Sequence, residues 1–135
     1  MINRGLFSSA SQHWATPVDL YKVLDAEFHF NDDPCPLHSV TDGLHRAWGT
    51  RVFLNPPYGR EIAKWLVKAY GESLLGKLVV CLVPSRTDTR WFHEYCMKAD
   101  EIRFLRGRLK FGGAKNSAPF PSAIVVFRGN EVDNA

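Results

Sequence analysis

The chain has 135 residues, of which 45% are hydrophobic and 23% charged. This is the size and composition of one globular domain, and it excludes a disordered, collagen-like or coiled-coil chain. No apolar stretch approaches the roughly 20 residues that span a bilayer, and the N-terminus lacks the apolar block of a secretory signal. The three widely spaced cysteines match neither a disulfide framework nor a zinc site, which favours a reducing, cytoplasmic location.

The net charge of +3 is distributed unevenly along the chain. Residues 1–50 carry a net charge of −3, whereas residues 51–128 carry +8. The segment 103–115 contains five basic side chains and no acidic one. Such a segment is typical either of a polyanion-binding surface or of a solvated basic face, and charge alone favours the second interpretation.

The first predicted elements are a helix and a short strand. Residues 1–12 are predicted to form a loose arm. Thr16 is expected to cap a helix that has Pro17 in its first position and Leu20, Val23 and Leu24 on its apolar face. A short strand over 29–32 is then expected to end at the sequence Asp33-Pro34-Cys35-Pro36.

Helices and strands alternate in the rest of the chain. The hydrophobic patterns predict strands over 52–54, 78–83, 101–111 and 122–127, with helices after the first and second of these. The order predicts an α/β fold with a mostly parallel sheet and an antiparallel C-terminal strand. We expect one domain over residues 1–135 with a tail over 129–135, and a ligand site at the carboxyl ends of the strands.

The most informative motif is Asn55-Pro56-Pro57-Tyr58, directly after the buried strand 52–54. Two prolines stiffen the turn and leave its carbonyl groups free as acceptors. Asn55 adds a side-chain acceptor and Tyr58 a flat ring for stacking. These groups suit the binding of a planar amino group against an aromatic plate. The alternative interpretation is an ordinary proline turn. The tyrosine and the α/β setting favour the binding site over this alternative.

With this motif the chain resembles the small phage-type DNA N-6-adenine methyltransferases, which use S-adenosylmethionine. The motif alone is shared with RNA and protein-glutamine methyltransferases, but the combination is more specific. The resemblance spans residues 14–127 and is carried by WATP (14–17), DPC (33–35), DGL (42–44), Trp48, VFLNPPYGR (52–60), Trp65, VPSRTDTRWF (83–92), FLRGRLKF (104–111) and PFPS (119–122).

The resemblance implies an abbreviated Rossmann-like methyltransferase sheet and methyl transfer to the 6-amino group of adenine. By position, Asn55 and the Pro56 carbonyl would hold the amino group within the motif 55–58, and Tyr58 would stack on an extruded base. The implied cofactor-binding residues are Trp14, Thr16, Pro17, Asp33, Pro34 and Cys35. The resemblance also suggests the cytoplasm of a bacterial host, and protection of phage DNA from host restriction as the biological role.

The chain departs from the broader methyltransferase pattern near the cofactor motif. No glycine follows Asp33, and only about twenty residues separate Asp33 from Asn55. The cofactor pocket is therefore expected to be abbreviated. Asp42 is a candidate for the ribose-binding residue, but it is equally well explained as a turn residue before Gly43.

No separate target-recognition domain fits in this length, so DNA contacts are expected from basic loops. The predicted partner is double-stranded DNA, with no membrane and no metal, since the five histidines lack metal-ligand spacing. Monomer and small homo-oligomer remain equally open. The alternative functions are methylation of RNA or protein glutamine, and nucleic-acid binding without catalysis. The predicted nucleic-acid contacts are Arg86, Arg106, Arg108, Lys110, Lys115 and Asn116.

Overall fold

A computed structural model describes residues 14–36 and 42–129 of the chain. The predicted N-terminal arm, 1–12, and the tail beyond residue 129 lie outside the described residues. The described residues form three α-helices: α1 (Val18–Phe28), α2 (Ile62–Leu74) and the short α3 (Arg90–Glu94). Two short 3₁₀ helices cover Gly43–His45 and Cys96–Lys98. The strands are β1 (Arg51–Leu54), β2 (Leu78–Pro84), β3 (Glu101–Phe104) and β4 (Ser122–Phe127).

The four strands form one sheet in the order β1-β2-β4-β3. β1 pairs with β2 in parallel, and Arg51 lies opposite Leu78. β4 pairs antiparallel with both β2 and β3. The α/β class and the antiparallel C-terminal strand are thus confirmed. The expectation of a mostly parallel sheet is not, because β4 lies between β2 and β3 and makes two of the three pairings antiparallel.

The core lies on both faces of the central strands. Every residue of β2 and β4 is buried, which agrees with their unbroken apolar sequences. Helix α2 covers one face through Ile62, Trp65, Leu66 and Ala69, which follow the helical period.

Two predicted strands are shorter than expected. The segment 29–32 forms only an isolated parallel bridge from Asp32 to Val52, since the prolines that follow cannot donate to a ladder. β3 ends at Phe104 instead of continuing to residue 111. Its partner β4 begins at Ser122, which accepts the last hydrogen bond from Leu105, so residues 106–111 have no strand to pair with.

The expected cap of α1 is wrong. The N-cap position is occupied by Pro17, and no side chain of residues 14–36 or 42–129 caps the helix. The hydroxyl of Thr16 instead bonds to Asn55, 39 residues further along the chain. A tertiary partner has therefore replaced the local one that the sequence favoured.

The strand directions bring the predicted site segments to one edge of the sheet. β1, β2 and β3 all point the same way, so their carboxyl ends meet there. The Asn55–Tyr58 turn, the Ser85-Arg86 pair and the start of the 105–121 loop follow these ends directly. The bridge at Asp32 places Asp33 beside the same edge.

Candidate active site

The Asn55–Tyr58 turn begins at the residue after β1. Pro56, Pro57 and Tyr58 are buried, whereas Asn55 is half-buried. Within residues 14–36 and 42–129, no backbone group donates to the Pro56 carbonyl oxygen. The stiff turn therefore keeps one backbone acceptor available next to the Asn55 side chain.

The carboxamide of Asn55 is held at both ends. Its Nδ2 donates to the carbonyl oxygen of Trp14 at 2.5 Å and to Thr16 Oγ1 at 2.9 Å. The Tyr58 hydroxyl donates to Asn55 Oδ1 at 3.1 Å. Because a backbone carbonyl can only accept, the Trp14 contact determines which end of the carboxamide carries the nitrogen. Oδ1 retains a second lone pair for an incoming N–H group.

The Tyr58 ring is buried, so it is less accessible for stacking than an exposed ring would be. Its residue exposure is 5%. Its ring meets the rings of Phe111 and Phe120 edge-on, at centroid distances of 6.3 and 5.6 Å. Its hydroxyl also lies 3.2 Å from the Leu82 carbonyl oxygen. Burial raises the pKa of Tyr58 well above its ordinary value, so this hydroxyl is a neutral hydrogen-bond donor.

A first cavity of about 490 Å³ opens beside Asn55. This volume is typical of small-molecule sites. Aromatic and aliphatic side chains form most of its wall, and Lys22 and Asp33 are its charged groups. The lining residues are Trp14, Ala15, Thr16, Val18, Tyr21, Lys22, Asp33, Cys35, Pro36 and Asn55.

The two adjacent aspartates near this cavity differ in their environments. Asp33 Oδ1 is buried and has no hydrogen-bond partner in the described part of the chain. Burial raises the pKa of Asp33, and the charge of Asp32 adds to the effect. Asp32 accepts hydrogen bonds from the Arg46 guanidinium and from Gly49 N, which lower its pKa. Asp33 is therefore the carboxylate that can still accept a hydrogen bond from a ligand.

Cys35 lines the same cavity beside Asp33. Burial, together with the Asp33 charge, raises the pKa of its thiol to about 12. The thiol is thus neutral near pH 7 and is a weak nucleophile. Its contribution to the cavity is steric and apolar.

The structure brings together four of the six predicted cofactor residues, namely Trp14, Thr16, Asp33 and Cys35. Pro17 and Pro34 do not line the cavity, because Pro17 occupies the N-cap position of α1 and Pro34 lies under Gly43. Asp42 is also absent from the lining. Its carboxylate bonds to Leu44 N and to His45 and caps the first 3₁₀ helix, which agrees with the turn interpretation.

Sequence reasoning missed the contribution of α1 to the cavity. Val18, Tyr21 and Lys22 line it from one face of this helix, at positions i, i+3 and i+4. Val18 is 65% exposed. The signal available in the sequence was Val18. It is apolar and precedes the residues of α1 that face the core, at a position where a surface helix ordinarily has a polar residue.

A second cavity of about 570 Å³ also borders the turn. Trp14 lines both cavities, whereas Asn55 lines the first and Tyr58 the second. The Asn55–Tyr58 turn thus contributes to both cavities. The second cavity is lined by Trp14, Tyr58, Gly59, Ile62, Pro84, Arg86, Trp91, Pro119 and Phe120.

The predicted nucleic-acid residues are all exposed, and five of them lie in the 105–121 loop. The sixth, Arg86, lines the second cavity, with its guanidinium 5.6 Å from the centroid of the Phe120 ring. Within the described ranges, none of the five basic side chains in this set has an acidic partner within 4.0 Å. Arg103 differs, because its guanidinium is paired with Glu27 and Glu101.

The described residues offer neither a metal-binding cluster nor a membrane-spanning helix. Among residues 14–36 and 42–129, no group of three or more His, Cys, Asp or Glu side chains could hold a metal ion. None of the helices in the same ranges has the length and apolar character needed to cross a membrane.

The fold and the paired cavities are compatible with a methyltransferase-like domain. Comparison with protein families gives a match of residues 6–130 to the family model described as DNA N-6-adenine-methyltransferase (Dam). This match covers nearly the whole chain, and the chain therefore belongs to the DNA N-6-adenine-methyltransferase family. No curated protein and no solved structure matches the sequence significantly.

Proposed function

We propose that this protein transfers a methyl group from S-adenosylmethionine to the 6-amino group of adenine in double-stranded DNA. The observation that carries the proposal is that the two ends of the Asn55–Tyr58 turn line two different cavities. One cavity is available for a methyl donor and the other for an acceptor base. The family to which the chain belongs supports the choice of adenine.

The first cavity fits S-adenosylmethionine by its chemistry. Trp14, Val18 and Tyr21 provide the apolar and aromatic surface that suits an adenine ring. The unpartnered Oδ1 of Asp33 suits a ribose hydroxyl or the ammonium group of the methionine moiety. When bound, the cofactor supplies an electrophilic methyl group. The chain's own task is to bind the cofactor and to align the acceptor amine with it.

The acceptor amine is proposed to be held by the free lone pair of Asn55 Oδ1 and by the Pro56 carbonyl. Two acceptors aligned on one –NH2 group draw its nitrogen lone pair away from the ring and toward the methyl group. No general base of tuned pKa is needed, because the amine loses its proton after attack. The methyltransferase site therefore depends chiefly on positioning.

The target amine is paired inside a duplex, so the base must be extruded to reach the turn. The second cavity offers aromatic side chains for such a base: Trp14, Tyr58, Trp91 and Phe120. Arg86 at its wall, and the exposed cations of the 105–121 loop, are proposed to contact the phosphates that flank it. We propose a cytoplasmic location, as expected for an enzyme that acts on bacterial or phage DNA.

The test is transfer of labelled methyl groups from S-adenosylmethionine to DNA, RNA and protein, with the modified DNA positions mapped. Transfer to adenine in duplex DNA is the expected result. Transfer to RNA or to protein glutamine would replace the proposal with another acceptor. Cofactor binding without any transfer, or DNA binding without cofactor binding, would indicate a non-catalytic module.

Asn55→Ala tests the site assignment. It removes the side-chain acceptor, so turnover should fall more than tenfold, equivalent to more than about 1.4 kcal/mol of barrier. Cofactor affinity, measured by calorimetry, should fall much less. Retention of more than a tenth of wild-type turnover would show that Asn55 does not hold the amine.

A further inference from the structure

The segment 14–16 makes the contacts that orient Asn55. The Trp14 carbonyl and the Thr16 hydroxyl both accept hydrogen bonds from Asn55 Nδ2, across about forty residues of chain. Without these two contacts the carboxamide could turn over. Nδ2 would then lie where the acceptor oxygen is needed. The N–H groups of Asn55 and of the acceptor amine would face each other, and no hydrogen bond could form between these two donors.

We propose that Thr16 is a positioning residue for the acceptor amide: together with the Trp14 carbonyl, its hydroxyl holds Nδ2 and so keeps Asn55 Oδ1 on the side of Tyr58. This inference rests on the proposed methyl transfer. Thr16 acts here through Asn55, in addition to any contact with the cofactor. An acceptor of fixed orientation is thus kept in the Asn55–Tyr58 turn, which contributes to both cavities.

The Thr16 hydroxyl bonds to Asn55 instead of capping helix α1. A threonine before a helix ordinarily accepts a hydrogen bond from the first turn. Helix α1 instead begins without any side-chain cap, and Thr16 Oγ1 lies 2.9 Å from Asn55 Nδ2. The hydroxyl is therefore committed to the Asn55 carboxamide.

The segment that carries Thr16 is itself anchored. Gly112 N donates to the Ala15 carbonyl oxygen at 2.8 Å. The Trp14 ring packs against Phe111 and Phe120, both at centroid distances of 5.3 Å. The anchored backbone keeps both acceptors of Asn55 Nδ2 in place. The Trp14 carbonyl, which can only accept, determines the donor end of the carboxamide, and the Thr16 hydroxyl holds the second N–H of the same nitrogen.

The kinetic test compares Thr16→Val with Thr16→Ser. Valine keeps the shape and removes the hydroxyl, so kcat at saturating cofactor should fall about tenfold, equivalent to a hydrogen bond of about 1.4 kcal/mol. The Kd for S-adenosylmethionine should change less than threefold. Serine restores the hydroxyl and should recover most of the lost rate. A raised Kd with unchanged kcat, or equal losses in both variants, would overturn the proposal.

A second measurement does not depend on activity. The side-chain amide signals of Asn55 can be identified in a ¹⁵N-resolved NMR spectrum of the free protein by their disappearance in Asn55→Asp. They should shift in Thr16→Val and stay near their wild-type positions in Thr16→Ser. Unchanged signals in Thr16→Val would overturn the proposal. If wild-type protein methylates no DNA but the signals shift as expected, the proposed function fails while the orientation of Asn55 by Thr16 stands.

Asn55→Asp gives a third test, which remains informative even if Thr16→Val does not fold. Aspartate offers an acceptor oxygen but replaces Nδ2 with an oxygen that faces the Trp14 carbonyl, where two acceptors repel. If the orientation of the carboxamide matters, Asn55→Asp should lose at least tenfold in kcat. Near wild-type kcat in this variant would show that Asn55 needs no fixed donor end, and would overturn the role of Thr16.

Discussion

Asp33 carries a buried carboxylate oxygen with no hydrogen-bond partner in the described ranges, at the wall of the first cavity. An unpaired buried acceptor lowers stability and is retained where a ligand uses it. Asp32, one residue earlier, is satisfied by Arg46 and Gly49. The pair therefore offers a matched comparison of a carboxylate proposed to bind the cofactor with a structural one.

Asp33→Asn should increase the free energy of unfolding at pH 7. Burial raises the pKa of Asp33 in the folded state, so its ionised form is penalised at every pH above that raised pKa. The gain should diminish as the pH falls toward the ordinary value of about 3.9, because the wild-type carboxyl is then protonated. Urea denaturation at pH 7 and pH 4 measures the difference, and cofactor affinity should fall in the same variant.

Asp32→Asn is the control for this prediction and should behave in the opposite way. The guanidinium of Arg46 lowers the Asp32 pKa, so its contribution is present above the ordinary pKa and lost below the lowered one. The variant should be less stable than wild type at pH 7. Stability of Asp33→Asn at or below that of wild type at pH 7 would show that the Asp33 carboxylate is satisfied in the folded protein.

Tyr58→Phe should reduce both stability and turnover. The ring is retained, but Asn55 Oδ1 and the Leu82 carbonyl lose the hydroxyl that lies within 3.2 Å of both. Leaving a buried acceptor unsatisfied costs about 1–3 kcal/mol. Thermal unfolding and kcat on duplex DNA measure the two effects. Wild-type stability with wild-type kcat would limit the role of Tyr58 to its aromatic ring.

At the scale of elements, the first 3₁₀ helix packs closely against the 33–36 turn, which follows the bridge at Asp32. A Cβ atom at Gly43 would lie 2.1 Å from the Pro34 carbonyl oxygen. The Gly43 carbonyl accepts a hydrogen bond from Trp48 Nε1 at 2.7 Å, which holds the helix in place. The glycine that allows this turn to pack thus comes from a later segment of the chain.

Gly43→Ala should displace the 33–36 turn, because a backbone oxygen cannot yield as a flexible side chain would. We expect a lower melting temperature and weaker cofactor binding. Gly71→Ala in α2 is the matched control, since its Cβ meets no atom within 4 Å. That change should raise the stability slightly, by about 0.5–1 kcal/mol, through helix propensity. Equal melting temperatures for the two variants would show that the turn tolerates the added methyl group.

At the scale of the whole molecule, some basic side chains of the described residues form ion pairs with acidic side chains, and others do not. Arg103 belongs to the basic segment in sequence, but Glu27 of α1 and Glu101 of β3 neutralise it. The exposed Arg108 and Lys110 have no such partners in the described part of the chain. The unpaired cations lie in the loop that begins at the carboxyl end of β3, at the same sheet edge as the Asn55–Tyr58 turn.

Arg108→Ala and Lys110→Ala should each weaken DNA binding without changing cofactor affinity. If each side chain contacts one phosphate, the slope of log K against log salt should fall by about one unit per variant. Titration of a labelled duplex at several salt concentrations measures this slope. Arg103→Ala is the control, with an unchanged slope expected. An unchanged slope in all three variants would assign the basic segment to a solvated face.

Most of the helices and strands could be predicted from the sequence, because they depend on local patterns. The stripe of α2, the apolar runs of β2 and β4 and the stiff Asn55–Tyr58 turn all follow from neighbouring residues. The family resemblance likewise rests on short motifs, and the match over residues 6–130 confirms it.

Only the tertiary structure decided which partners those residues have. In the sequence, Thr16 is a candidate helix cap and Arg103 resembles its basic neighbours. In the structure, the Thr16 hydroxyl bonds to Asn55 instead, and the Arg103 guanidinium is paired with Glu27. β3 ended early because its partner strand begins at Ser122. Hydrogen bonds and ion pairs between segments tens of residues apart depend on strand order and register, which local periodicity does not encode.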